Sequence, residues 1–225
     1  MSSFNIGGAY RMPPVVKNLL IINILFFMAQ ELLPFGDQIT RYLALYYWES
    51  PNFGIWQYVT HMFLHGSVSH IFFNMFSLWM FGRILEQDLG SRRFLVFYLL
   101  SGIGAAVLYS CVNWIEIQAL TSQAAVSYET VMKLGRLVNT PMIGASGAIY
   151  GVLLGFGMLH PNSVIMLVIP PIPMKAKYFV IIFMVLEFFL GLRGGDGVAH
   201  FAHVTGMISA FLLLRYWKAK GKIYY

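Results

Sequence analysis

The sequence has little charge and almost no cysteine. Charged residues make up 11% of its 225 residues, whereas soluble proteins contain about 25%. So few charges cannot cover a surface that faces water, which excludes a soluble globular protein. The single cysteine, Cys111, excludes a disulfide framework, and its apolar surroundings indicate a packing residue. Hydrophobic residues reach 58%, with a mean hydropathy of +0.68. We therefore predict an integral membrane protein with one compact domain.

Six apolar segments predict six membrane helices. They cover residues 18–33, 66–85, 94–114, 146–159, 178–192 and 198–216. The first is short, but no small-residue cleavage site follows it, so we interpret it as a retained helix and not as a signal peptide. Three prolines between the fourth and fifth segments exclude a continuous helix there. Residues 36–64 are rich in Tyr and Trp and are predicted to form a loop in the headgroup region. The polar residues 115–143 are predicted to form a second loop.

The distribution of basic residues predicts the orientation in the membrane. The net charge is +6, but Lys and Arg cluster at the ends of apolar segments, which favours membrane topology over nucleic-acid binding. With six crossings, 11 of the 15 basic residues fall on one side, so both termini are predicted to be cytoplasmic. We predict a cytoplasmic lead over residues 1–17, a membrane domain over 18–216 and a basic cytoplasmic tail over 217–225.

A serine between small residues opens the fourth helix. Ser146 lies between Gly144 and Gly147, and the unpaired amides at a helix N-terminus favour negative charge. The glycines leave room for a substrate backbone, so Ser146 is a candidate nucleophile. The alternative is packing, because Gly147, Gly151 and Gly155 form the small-residue seam typical of close membrane helices.

Two histidines open the sixth helix. His203 is followed by Gly206 and Ala210, which form another small-residue seam. If this seam meets that of the fourth helix, His203 comes close to Ser146. An ionisable residue within a membrane segment is a functional candidate because its burial is unfavourable. His200 lies nearer the turn and is a weaker candidate.

His70 and Asn74 form the third candidate group. They are four residues apart on the second helix and therefore share one face. Both can donate hydrogen bonds to an oxyanion. The alternative is hydrogen bonding between helices.

Five of the six histidines fall in residues 61–70 and 200–203, which raises the alternative of a metal site or a metal-ion permease. Against it, the only acids near these segments in sequence are Glu49 and Asp196, and no His-Glu-x-x-His motif occurs. We therefore predict neither a metal ion nor a cofactor.

These motifs together resemble the rhomboid family of intramembrane serine proteases, over about residues 15–216. The motifs are Trp56-Gln57-Tyr58, His65-x4-His70-x3-Asn74, Glu86-x3-Gly90, Gly144-x-Ser146-Gly147-x2-Tyr150 and Ala202-His203-x2-Gly206. The resemblance implies an all-α bundle of six transmembrane helices. It also implies an endopeptidase that cuts membrane-protein substrates within or near their transmembrane segments, here in a bacterial plasma membrane.

The resemblance also implies roles for individual residues. Ser146 matches the nucleophile, His203 the general base and Tyr150 a tyrosine that packs under the base. His70, Asn74 and the Ser146 amide match the oxyanion site.

Two further matches are structural. His65 matches a histidine that fastens the first loop, and Glu86 an acid that ties the second helix to its neighbours. Gln57 departs from the arginine that many members carry, which leaves the anchoring of the loop in question.

Neither catalytic motif contains an acid, so we predict a serine–histidine dyad without a third member. Glu187 lies in the middle of the fifth helix, where a carboxylate must be neutral or paired. A structural hydrogen bond and a part in substrate access are both open for it. A rhomboid-like protein that binds membrane clients without cleaving them is the alternative function.

Overall fold

The computed structural model describes residues 12–122, 127–166, 171–193 and 199–223. Most of the predicted lead, the turn around Asp196 and the last two residues lie outside the described residues. Within them the chain is mostly helical. The α-helices are α1 (Pro14–Leu32), α2 (Gly36–Leu43), α3 (Gln57–Thr60), α4 (Val68–Ser77), α5 (Arg83–Leu89), α6 (Ser91–Thr121), α7 (Tyr128–Asn139), α8 (Ser146–Leu159), α9 (Ala176–Arg193) and α10 (His200–Ala219).

Shorter elements complete the described chain. A 3₁₀ turn, His61–Phe63, follows α3, and a π-helical segment, Leu78–Gly82, joins α4 to α5 as one long helix. Strands β1 (Val164–Met166) and β2 (Pro173–Lys175) pair in antiparallel fashion with Ile165 opposite Met174. The prolines that exclude a helix here thus leave a short hairpin, with Pro173 at the start of its strand.

Each of the six predicted apolar segments is largely helical, but their membrane crossings are only partly supported. Among the described residues, three helices are long and apolar enough to cross a membrane: Pro14–Leu32, Val68–Leu89 and Ser91–Thr121. α8 is apolar but has only 14 residues, about 21 Å of helix, which is shorter than a bilayer core of about 30 Å. The six crossings and the cytoplasmic termini stay predictions.

The predicted loop over residues 115–143 is wrong. α6 continues to Thr121 and α7 fills much of the remainder. The Ser127 hydroxyl caps α7 by accepting from the Thr130 amide, and Lys133 of α7 lies 2.7 Å from Glu116 of α6. A polar stretch can form an amphipathic helix, because its few apolar residues can share one face. The average polarity of the stretch does not show this. The first loop likewise contains α2 and α3.

The interpretation of Cys111 as a packing residue is also wrong. Its side chain is exposed on α6. An apolar run shows that a helix lies in an apolar environment, but not which of its faces meets the protein interior.

Glu86 holds the beginnings of two helices against α5. Its carboxylate accepts hydrogen bonds from the amides of Val15 and Val16, at 3.0 and 2.8 Å, and from the Ser91 hydroxyl at 2.6 Å. The free amides at the start of a helix favour such a negatively charged acceptor. With Pro14 at its first position, α1 therefore begins four residues earlier than predicted.

α8 is the central helix of the bundle. Its residues from Gly147 to Gly157 are buried, apart from the half-buried Tyr150. A Cβ at Gly151 would lie 2.7 Å from the Cβ of Ser101 on α6 and 3.2 Å from that of Ala210 on α10. Small residues thus bring α6 and α10 against α8 at backbone distance.

Candidate active site

Ser146 is the first residue of α8, and the preceding segment is tied to the first loop. Leu45 and Met142 exchange two backbone hydrogen bonds of 3.0 and 2.8 Å, and the Gly144 amide donates to the His61 carbonyl at 2.9 Å. These bonds fix where the chain turns into α8. Ser146 itself stays partly exposed, so its hydroxyl is accessible at the end of a buried helix.

Gly144 occupies a position that requires glycine. Its φ is +126°, outside the range of ordinary side chains, and a Cβ there would lie 2.9 Å from the His70 ring. The same Cβ would be 3.5 Å from the Ser146 hydroxyl oxygen. The absence of a side chain therefore opens the space between Ser146 and His70.

The seams of α8 and α10 meet at their glycines. A Cβ at Gly206 would lie 2.1 Å from the Gly147 carbonyl oxygen, so the two backbones are in contact. One turn earlier on α10, the His203 Nε2 lies 2.9 Å from the Ser146 Oγ. Residues 57 positions apart thus form a hydrogen-bonded pair.

Tyr150 packs against the histidine ring. Its ring is stacked on that of His203 with centroids 4.2 Å apart and planes 7° from parallel. It lies one turn after Ser146 on α8, so the same helix carries the hydroxyl and the surface that supports the imidazole. The Tyr150 hydroxyl donates to Glu187, which fixes the phenol from its other end.

The expectation that this serine–histidine pair lacks a carboxylate is wrong. Glu187 of α9 places Oε2 2.7 Å from Nδ1 of His203 and 2.7 Å from Nδ1 of His200. The acid lies 16 residues before His203, outside the motif, and reaches it only because α9 packs beside α10. The sequence signal that could have found it is its position, since a carboxylate within an apolar helix needs a partner.

Glu187 also corrects the argument against a metal site. Asp196 lies outside the described residues, and the acid that meets the histidines is Glu187. It offers, with His200 and His203, three ligand atoms within 4.8 Å of one another. Hydrogen bonds among these side chains account for the same spacing, because a carboxylate accepts from both Nδ1–H groups.

His70 lies across Gly144 from the Ser146 hydroxyl, and Asn74 follows His70 by one turn of α4. The Gly66 amide donates to the His70 Nδ1 at 3.4 Å, which leaves the proton on Nε2, the atom beside Gly144. Asn74 is buried, and among the described residues its Nδ2 has no hydrogen-bond partner. A buried donor without a partner is rare in native structures, so this one is available to a bound acceptor.

The geometry provides the parts of a serine hydrolase site. A hydroxyl faces an imidazole nitrogen, the other imidazole nitrogen faces a carboxylate, and the His70 ring lies close to the hydroxyl. A family model of the rhomboid domain matches residues 52–219. The chain belongs to the rhomboid family. The resemblance drawn from the sequence motifs is thereby confirmed.

Named relatives of this rhomboid come from a plant and a bacterium. RHOMBOID-like protein 4 of Arabidopsis thaliana is 32% identical over 158 residues, which cover 70% of this chain and 33% of that protein. The rhomboid protease GlpG of Klebsiella pneumoniae is 36% identical over 91 residues, which cover 40% of this chain and 32% of GlpG. The chain thus matches about a third of the length of each. The family includes serine proteases, GlpG among them.

Gln57 holds the first loop of this rhomboid through neutral hydrogen bonds. Its side chain is fully buried. It accepts from the Tyr46 amide at 3.2 Å and donates to the carbonyls of Asn52 and Tyr42, at 2.8 and 3.2 Å. A buried arginine here would need a negative partner, whereas glutamine satisfies three backbone groups without charge.

His65 lies between α1 and the His70 ring and is buried. Its amide donates to the Gln30 side chain of α1 at 3.0 Å, and its ring meets that of His70 edge to face, with centroids 5.0 Å apart. Burial, together with the nearby His70, lowers the pKa of the His65 imidazole to about 3. The ring is therefore neutral at neutral pH and supports His70 without adding charge.

Proposed function

We propose that this rhomboid is an intramembrane serine endopeptidase that cuts membrane proteins within or near their transmembrane segments. The observation that carries the proposal is the 2.9 Å contact between the Ser146 Oγ and the His203 Nε2 at the partly exposed start of α8. The His70 ring across Gly144 and the unpartnered amide of Asn74, one turn further along α4, supply donors for an oxyanion. A protein that only binds clients would not need this complete set of groups.

The proposed reaction is acyl transfer to Ser146. The His203 Nε2 accepts the hydroxyl proton while Oγ attacks the scissile carbonyl. The negative charge on the tetrahedral oxygen is stabilised by His70, Asn74 and the Ser146 amide. His203 then gives its proton to the leaving amine, and water releases the acyl group by the same steps in reverse order.

We expect the substrate to be locally unwound at the cut. An α-helix uses its own amides and carbonyls for internal hydrogen bonds, so an intact helix offers no free carbonyl to Ser146. Helix-breaking residues near the cut supply a free backbone. The short α8 supports a site below the membrane surface, which water can reach only through a cavity lined by protein.

We also propose that the chain is a multi-pass protein of the bacterial plasma membrane with both termini cytoplasmic. The asymmetry of Lys and Arg supports the orientation. Of the three candidate spans among the described residues, two fall within the residues that match the family.

Ser146→Ala tests the proposal directly. Cleavage of a membrane-embedded reporter in proteoliposomes is expected to fall to background, because the attacking oxygen is gone. A serine-directed fluorophosphonate is expected to label the wild type and not the variant. Ser110→Ala is the matched control, since the Ser110 hydroxyl donates to the Ala106 carbonyl within its own helix, α6. Reporter cleavage that survives Ser146→Ala would contradict the proposal, and a wild type that neither labels nor cleaves would favour the client-binding alternative.

Asn74→Ala tests the oxyanion site. We expect kcat to fall by about 10²- to 10³-fold with little change in KM, because the lost donor acts on charge that develops in the transition state. Michaelis–Menten kinetics on the same reporter measure both constants. Asn139→Ala is the control, since its amide only donates to the Gly135 carbonyl on exposed α7. An Asn74→Ala kcat equal to that of the wild type would remove Asn74 from the oxyanion site.

A further inference from the structure

The geometry points to Glu187 as the third member of a Ser146–His203–Glu187 triad. It is a positioning residue, which determines the nitrogen of His203 that carries the proton and the orientation of the ring. The inference rests on the proposed hydrolysis and deepens it. It departs from the two-residue mechanism that the sequence motifs predict.

Glu187 is buried and is the one acid on α9. Its carboxylate accepts from three neighbours: Oε1 from the Tyr150 hydroxyl, and Oε2 from Nδ1 of His203 and of His200. Charge-assisted hydrogen bonds of this kind are short and strong. Three donors around one buried carboxylate favour its ionised form.

An ionised carboxylate can only accept hydrogen bonds. The His203 Nδ1 must therefore carry a proton to satisfy Glu187, which leaves the lone pair on Nε2, the atom that faces the Ser146 hydroxyl. This is the tautomer that a general base needs. When Nε2 accepts the serine proton, the imidazolium forms beside a negative charge.

Glu187 also links the orientation of the base to α8. The Tyr150 hydroxyl holds the carboxylate, and the Tyr150 ring is stacked on His203. The imidazole is thus fixed on its face by the phenol and at its edge by the carboxylate. The short hydrogen bonds to α8 and α10 also suit a purely structural role, in which Glu187 only joins α9 to the bundle.

The two roles differ in their effect on the pH profile. The groups that face His203 are Ser146 and Tyr150 on α8, Glu187 on α9 and His200 on its own helix. His70 on α4 also interacts with it electrostatically. Glu187 is the only negative charge in this set. If it stabilises the imidazolium, its neutralisation makes His203 harder to protonate, and activity persists to lower pH. A purely structural link has no such effect.

Glu187→Gln is the decisive variant because glutamine keeps the shape and removes the charge. We expect kcat to fall by at least about 10²-fold, with KM little changed. The pH at which kcat/KM is half-maximal on the acid side is expected to fall by about one unit or more. This half-maximal pH does not depend on the fraction of protein that is folded, so partial misfolding does not obscure it. Glu187→Asp keeps the charge and is expected to bring this half-maximal pH part of the way back to the wild-type value.

Glu86→Gln is the matched structural control. Glu86 is also buried and also joins helices. Its loss is expected to lower the thermal midpoint of unfolding without changing the half-maximal pH of kcat/KM on the acid side. The inference is overturned if Glu187→Gln has the same half-maximal pH on the acid side as the wild type. It is also overturned if a chelator abolishes cleavage by the wild type and Zn²⁺ restores it. Failure of the proposed function is distinct, because it would show as a wild type that neither cleaves the reporter nor reacts with the phosphonate.

Discussion

His203→Ala is expected to lower kcat/KM for reporter cleavage by at least about 10⁴-fold, and adding Ser146→Ala is expected to lower it no further. The Ser146 Oγ and the His203 Nε2 are 2.9 Å apart and act as one unit, so removing either removes the activated nucleophile. The measurement compares both single variants and the double variant in one sensitive assay.

The control for this comparison is His160→Ala at the opposite end of α8. Its imidazole lies 2.6 Å from the Asp88 carboxylate, so the variant removes a histidine and its hydrogen bond to an acid without touching Ser146. Activity close to that of the wild type is expected. A double variant whose loss equals the product of the single losses would mean that Ser146 and His203 act independently, which would contradict the proposed mechanism.

Gly206→Val is expected to lower kcat by about 10²-fold or more and to lower the thermal midpoint as well. A Cβ at this position would lie 2.1 Å from the Gly147 carbonyl oxygen, and that backbone atom cannot rotate away. α10 must therefore shift from α8, and His203 moves with it. Kinetics and a thermal unfolding curve in the same detergent measure the two effects.

Gly135→Ala is the matched control on α7. A Cβ there has no atom within 4 Å, so activity is expected to be unchanged, while the helix gains up to about 1 kcal/mol in stability. Wild-type activity and stability in Gly206→Val would contradict the close approach of α8 and α10.

The helices and the motif residues could be predicted from the sequence because their causes are local. A long apolar run must form a helix in a membrane, since its backbone groups have no other partners there. The spacing of His70 and Asn74 places both on one face of α4 whatever surrounds it. Small residues around Ser146 and after His203 indicate two surfaces that permit close contact, and in the structure those surfaces meet.

The errors have a common physical origin. The predictions for Cys111 and for residues 115–143 rest on average polarity, which reports the environment of a segment but not the direction that each side chain faces. α7 is polar overall but forms an amphipathic helix whose Lys133 pairs with Glu116 on α6.

Composition and motif order alone determined that this chain is a membrane protein of helices with a rhomboid pattern of polar residues. Only the tertiary structure decided which side chains Glu187 contacts. Its contact with His203 depends on the rotation of α9 about its axis and on its packing beside α10, and neither is encoded in the spacing of any motif. A carboxylate that looked isolated along the chain thus becomes, through packing, the acceptor for Tyr150, His200 and His203.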